Sequence, residues 1–281
     1  VIKAHAILGA KNPHLQTYLV GGMSIPVDPN SEVAINADKI AQLLQLFAKA
    51  KDFVNRVYLP DVLAVAPFYL DWAGVGEGLG NFMSYGDIPL VDNFDPNKPG
   101  DLFFPRGIIL NRDLSKVHPL DPEKINEYVT HSWYSYEDES KGLHPSVGTT
   151  VSNYTGPQPP YEYLDTENKY TWLKAPRYDD LSMEVGPLAR MLIGYASGQP
   201  RVKELVDTVL TKLGAPASAL FSTLGRVAAR CIETVLIAEN LETWTQELAA
   251  NIASGDLATH EQKHWDPATW PAESMGWGWT E

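Results

Sequence analysis

The sequence contains a single cysteine, Cys231, in 281 residues. A lone thiol excludes an internal disulfide and any site built on two or more thiolates of these residues. No apolar run is long enough to cross a bilayer. The longest, residues 62–70, is interrupted by Pro67 and stops at Asp71, well short of the roughly 20 residues a spanning helix needs. Basic residues are few, 22 against 35 acidic ones for a formal net charge of −13. Such a surface repels phosphate backbones and anionic headgroups, so nucleic acid is not an expected partner. No charged leader with an apolar stretch and a small-residue cleavage site follows Val1, and no targeting segment is expected in these residues. Internal repeats and low-complexity tracts are also missing.

What is present is apolar material: 44% of the residues are hydrophobic, enough for a sizeable core in one large domain or two small ones. Over residues 36–57, Ile40, Leu43, Leu44, Phe47, Ala50 and Val54 recur at three- and four-residue spacings, with Asp38, Lys39, Lys49 and Lys51 mostly between them. This spacing predicts an amphipathic helix. From Tyr58 to about Pro187 proline, glycine, aspartate and aromatics are dense. Tyr85-Gly86-Asp87, Pro99-Gly100 and Gly156-Pro157 punctuate the stretch, which predicts turns, a few short hairpins and long ordered loops.

The helical period returns after Met183. Val202, Leu205, Val206, Val209, Leu210 and Leu213 form one stripe, and Gly214 with Pro216 supplies a stop. A long helix follows, with an apolar face of Leu220, Leu224, Val227, Ala228, Cys231, Val235 and Leu236. A further helix is expected over residues 241–253, ending at Gly255. The tail from His260 onward is rich in tryptophan and proline, and so large an indole area is expected to pack on something.

Several short patterns carry chemistry elsewhere. His260-Glu261-Gln262-Lys263-His264 matches H-E-x-x-H, which in a zinc protease sets two imidazoles one helical turn apart with the glutamate as base. Gly255 and Pro267 flank it closely, Gln262 and Lys263 offer no apolar face, and no third histidine follows at glycine spacing, so the helix this chemistry needs is not expected. Gly74, Gly76, Gly78 and Gly80 resemble a phosphate cradle, yet no buried strand leads in and no amphipathic helix leads out. Close backbone approach and positive φ explain these glycines better. Asn153-Tyr154-Thr155 satisfies the N-glycosylation pattern, which carries no weight without a secreted eukaryotic context. The acids and aromatics of residues 133–172 invite a sugar cleft with Glu162 and Asp165 as acid and base, but a solvated acidic loop with packed aromatics accounts for them better, because acids ordinarily stay at the surface. Cys231 lies on an apolar helix face as a small hydrophobe. Arg226 and Arg230, one turn apart, read either as a carboxylate clamp or as a solvated face.

Longer stretches are more specific. Lys11-Asn12-Pro13-His14, Asn81-Phe82-Met83-Ser84-Tyr85-Gly86-Asp87, Tyr154-Thr155-Gly156-Pro157 continuing through Tyr161-Glu162-Tyr163-Leu164-Asp165 to Lys174-Ala175-Pro176-Arg177-Tyr178, and Met183-Glu184-Val185-Gly186-Pro187-Leu188-Ala189-Arg190 occur in this order. Leu220-Phe221-Ser222-Thr223-Leu224-Gly225-Arg226 with Ala229-Arg230, and Trp265-Asp266-Pro267 with Thr269-Trp270-Pro271, follow. Together they resemble the large subunit of nickel-iron hydrogenases over nearly the whole chain.

The resemblance implies an α+β, mainly helical fold with long ordered loops and short hairpins in the middle, and it makes residues 1–281 a partial large-subunit domain truncated at both ends. It implies a parent enzyme that oxidises dihydrogen reversibly and passes electrons to an iron-sulfur small subunit. The family holds its nickel-iron centre through R-x-C-G-x-C and D-P-C-x-x-C motifs. Neither occurs here, so no catalytic or metal-ligating residue is expected in these residues and the fragment alone is expected to hold no centre and to be inactive. By analogy the Pro13-His14 segment lies near the centre, which makes His14, and more weakly Lys11, candidates for hydrogen bonding around the metal ligands. Structural hydrogen bonding by His14 is the equal alternative. The family has glycine where Ala10 stands, a change tolerable at negative φ.

Membrane association is expected only through the partner, on the periplasmic face, with a cytoplasmic location as the alternative. Two other readings are open: a metal-free relative in a respiratory quinone-reducing complex, and a scaffold presenting acidic and tryptophan-rich surfaces. The tyrosine-rich block through Asp165 and the intact Glu184–Arg190 run favour the hydrogenase.

Overall fold

The computed structural model describes all residues except 92, 93, 96, 99, 161–163, 277 and 279–281. Pro99 of the expected Pro99-Gly100 turn, Glu162 of the carboxylate pair and the Tyr161–Tyr163 part of the aromatic block therefore lie outside the described residues. The rest is an α+β arrangement of helices and short antiparallel strand pairs, and it forms two compact units.

The first unit comprises Val1–Leu70, Leu205–Ala215 and Val227–Thr280. Its opening helix α1 (Ile2–Gly9) packs on α2 (Ala37–Phe53). Asn36 caps α2 by accepting the backbone N–H of Lys39 at 2.9 Å, satisfying one of the orphan donors of the first turn. Leu43, Phe47 and Ala4 form a buried cluster with Ile7, Leu8, Leu46 and Leu241 against it. Each large side chain so buried contributes about 1.5–3 kcal/mol.

Helix does not stop near Val57 as the sequence predicts. A π turn over Val54–Tyr58 follows α2, then α3 (Leu59–Val65), then 3-10 turns over Ala66–Gly74 with a kink at Tyr69. Pro60 does not break this run because the wide turn restarts the helix. The proline then falls in the first turn of α3, where its missing N–H is not needed.

Among the described residues the second unit, Asp71–Glu204 and Pro216–Arg226, holds the middle strands. A long broken hairpin is its frame: β3 (Phe82–Ser84) pairs with β6 (Gly107–Ile109), and inside them β4 (Asp87–Pro89) pairs with β5 (Leu102–Phe104), counting a small β1–β2 hairpin (Tyr18–Leu19 with Gly22–Met23) in the first unit. The break falls at Tyr85-Gly86. Gly86 has φ +88, and a Cβ there would sit 2.5 Å from Leu102 Cδ1, so no side chain fits. Helix α4 (Pro187–Ala196) lies on β3 and β6 with Leu188–Gly194 buried. β7 (Ile125–Tyr128) pairs with β10 (Ala175–Tyr178), and β8 (Tyr134–Ser135) with β9 (Val151–Ser152).

Helix α5 (Pro200–Leu213) carries the predicted stripe, with Val202, Leu205, Val206 and Val209 buried. It ends as expected at Gly214, φ +60, where Ala215 N–H reaches back to Leu210 C=O. The two helices expected after it are one, α6 (Thr223–Ala253), closed by Gly255 at φ +92. Nothing between Gly225 and Gly255 breaks it. Thr234, Asn240 and Thr245 turn their polar groups back onto the carbonyls of Arg230, Leu236 and Leu241 at 2.7–2.8 Å instead of competing with the helix. Val227, placed on the apolar face by spacing, is exposed, whereas Cys231 and Val235 are fully buried.

Burial pushes the Cys231 thiol from its ordinary 9.0 up to about 11. Folding therefore favours the protonated thiol. That contribution is intact below about pH 9 and is lost as pH rises through 11. In the complete folded protein, iodoacetamide is expected to leave Cys231 unmodified at pH 8 and to alkylate it once urea unfolds the chain. Rapid native-state alkylation, read by peptide mass spectrometry, would contradict this packing.

Candidate functional site

The carboxylate of Glu184 and the guanidinium of Arg226 form a two-point clamp, Nε to Oε1 and Nη2 to Oε2, each at 2.7 Å. Both side chains are largely shielded from solvent. The Glu184 hydrogen bond raises the Arg226 pKa. The fork geometry is the one that arginine, and not lysine, can offer a carboxylate.

Each partner is delivered by a different local rule. Glu184 bridges in parallel to β3 at Phe82: Met83 N–H donates to Glu184 C=O at 2.9 Å, and Glu184 N–H donates to Asn81 C=O at 2.8 Å. Arg226 sits in the first turn of α6, whose start is fixed by Ser222. The Ser222 hydroxyl accepts the N–H of Gly225 at 3.0 Å, the geometry of an N-cap. Phe221 tilts against Phe82 with ring centroids 5.5 Å apart.

The glycine loop of residues 74–80 closes over this clamp. Arg226 Nη1 donates to the Gly76 carbonyl, and Thr223 N–H donates to Val75 C=O at 2.9 Å. Glu77 pairs with Arg112 at 2.9 Å, and Arg112 N–H reaches Gly80 C=O at 2.8 Å. Gly76, Gly78 and Gly80 all have positive φ, and a Cβ on Gly78 would lie 2.5 Å from Arg226 Nη2 and 3.0 Å from Glu184 Oε2. The loop is glycine-rich because backbone must lie directly on an ion pair. The stretches Asn81–Asp87, Met183–Arg190 and Leu220–Arg226 thus meet at one place. Sequence reasoning named Arg226 but missed Glu184 as its partner, since nothing local links residues 42 positions apart. Arg230 is exposed and takes no part in the clamp. Arg190 is buried with its guanidinium 5.7 Å from the Phe104 ring centroid.

The other candidates lie in the first unit. Lys11 and His14 share one exposed loop after α1. Ala10 has φ +65 and His14 φ +58, so the condition of negative φ at Ala10 is not met. The helix end puts Ala10 in the left-handed position that glycine fills without cost, and alanine there costs about 1 kcal/mol. Asn12 bonds the ring of His5.

The H-E-x-x-H pattern is not helical. His260 bridges to Gly22, bonds Met23 C=O through Nδ1 at 3.2 Å and stacks on Trp265 at 5.1 Å. Trp265 Nε1 in turn donates to Val20 C=O at 2.8 Å. Trp265 seats the start of the tail on the β1–β2 hairpin, while Trp270 stays exposed and Trp277 and Trp279 lie outside the described residues, so the packing expected of the indoles is seen at Trp265 alone among the described ones.

The aromatic block of the second unit is a box. Trp133 meets Tyr154 and Trp172 edge-on at 4.7 and 5.2 Å, and Lys169 beneath it donates to the carbonyls of Val129 and Tyr134 and pairs with Glu139 at 2.8 Å. Hydrogen bonds from Asn168 and Glu167 hold the Asp165 carboxyl below its ordinary range, opposite to what a general acid requires. Among the described residues no three His, Cys, Asp or Glu side chains converge on a possible metal position.

The clamp thus joins stretches that resemble one family, in an α+β frame of helices and short strand pairs. The family model for nickel-dependent hydrogenase matches residues 1–281, and the chain belongs to that family. It is 44% identical over 295 residues to the uptake hydrogenase large subunit of Rhizobium leguminosarum bv. viciae, covering 100% of this chain and 49% of that protein. With the hydrogenase-1 large chain of Escherichia coli K12 it shares 37% over 294 residues, again 100% of this chain and 49% of the other. Among solved structures, the NiFeSe hydrogenase of Dm. baculatum superposes with a TM-score of 0.66 at 29% identity, covering 86% of this chain and 45% of that one. That of Desulfovibrio vulgaris Hildenborough gives 0.66 at 32%, covering 86% and 46%. The chain spans about half the length of the curated relatives it matches.

If the clamp is a coupled unit, Glu184→Gln and Arg226→Lys in the complete subunit each lower stability by about 2 kcal/mol, and the double variant loses less than the sum. Additive losses in thermal unfolding would show that the two side chains act independently.

Proposed function

We propose that these residues are part of the catalytic large subunit of a nickel-iron hydrogenase that oxidises dihydrogen, reversibly, to protons and electrons and hands the electrons to an iron-sulfur small subunit. The observation that carries this is identity of 44% to an uptake hydrogenase large subunit, spanning the whole chain.

The described residues do not fit the metal centre itself. Cys231 is fully buried with its thiol held protonated, and no cluster of ligand side chains surrounds it. Thiolates, not thiols, bind nickel and iron, so the ligands are assigned to other parts of the parent subunit. What this chain supplies is support. The Glu184–Arg226 clamp ties the segment bridged to β3 to the first turn of α6, and the Lys11–His14 loop presents His14 as the group that hydrogen-bonds around the centre, with Lys11 beside it. Among the described residues no helix is long and apolar enough to cross a membrane. Attachment at the periplasmic face would come through the partner.

The complete protein, purified with its small subunit, is expected to reduce a viologen dye under dihydrogen and to contain nickel. His14→Gln is expected to lower that rate by about tenfold or more while leaving thermal unfolding unchanged. A nickel-free complex with no dihydrogen-dependent reduction would overturn the functional reading. A His14→Gln enzyme of full activity would leave His14 only a structural role.

A further inference from the structure

We infer that the exposed apolar side of the helical run over residues 53–70 is an internal contact, covered in the complete large subunit by further polypeptide of the same chain. The inference rests on the reading that these residues belong to a longer large subunit. Within the run Val54 and Ala66 are buried in its own unit, continuing the core that Ile40, Leu43 and Phe47 form on α2. Its exposed side chains are apolar as well: Phe53 is 56% exposed, Val65 53%, Phe68 84% and Leu70 48%. No residue of α3 is buried, and within residues 53–70 the charges are Arg56, which pairs with Asp52, and Asp61. A helix apolar on both sides belongs in the interior of a larger body, and contiguous apolar surface of this kind is seldom left open to water.

Two features select the occupant. The helix already packs its first side on its own chain, so covering the second continues one core. The relatives match this chain over only 49% of their length, which leaves a comparable length of large-subunit polypeptide to be seated. The nearly uncharged face calls for an apolar helical surface, not an acidic or basic one.

Hydroxyl-radical footprinting of the full-length large subunit, alone and with its small subunit, tests this through oxidation of Phe68 relative to the urea-unfolded chain. Near-complete loss of Phe68 reactivity in the large subunit alone, unchanged on adding the partner, is the expected result. Protection that arises only with the small subunit assigns the face to that partner and overturns the inference. So does a Phe68 that stays reactive in both states, or one shielded only by added lipid vesicles. Dihydrogen-dependent dye reduction measured on the same complex separates the two readings: an active enzyme with a reactive Phe68 sinks this inference and leaves the function standing.

Discussion

The second unit depends on one ion pair lying under backbone. The Glu184 carboxylate and Arg226 guanidinium meet at 2.7 Å through two parallel hydrogen bonds, and their mutual attraction is strengthened because both are largely withdrawn from water. Much around them follows from the need to keep that pair satisfied. Residues 74–80 must be glycine-rich because any side chain on Gly78 would collide with the pair. Glu184 must be held by a backbone bridge to β3, and Arg226 must sit in a capped first turn. Removing either partner would strand the other's charge in a poorly solvated place, which is the costly event.

The first unit relies on a different constraint, the close laying of the tail on the β1–β2 hairpin. Gly21 and Gly22 have φ of +94 and +150, and added Cβ atoms would run into the backbone of Glu261 and Thr259. This explains why His260 and Trp265 serve packing and not metal binding. His260 is committed to a carbonyl and to the face of an indole, and the residues between it and His264 do not form the helical turn that would bring two imidazoles together.

Much of the helical part was legible in sequence. The stripes of Ile40, Leu43 and Phe47 and of Val202, Leu205, Val206 and Val209 are buried where periodicity put them, because a buried face is a local property of 3.6-residue spacing. The π turn at Val54–Tyr58 was not legible, since it depends on hydrogen bonds displaced by one residue, such as Leu59 N–H to Val54 C=O, and no residue type demands it. The continuity of α6 was missed because its polar side chains bond back along the helix. The clamp was half legible: Arg226 stood out, while Glu184 became its partner only through the fold. The positive φ of Ala10 was hidden for the same reason, a backbone angle set by the end of α1. Resemblance to a family supplied what spacing could not, the convergence of distant stretches on one function.

The central claim is that the Glu184–Arg226 pair holds β3, the glycine loop and the start of α6 together. Native-state hydrogen exchange on the complete subunit, wild type against Glu184→Gln, tests it most directly through the amides of Met83 and Thr223, which donate to Glu184 C=O and Val75 C=O. The account predicts that both lose protection together while the β7–β10 ladder keeps its own. Unchanged protection at Thr223 in the variant would contradict it.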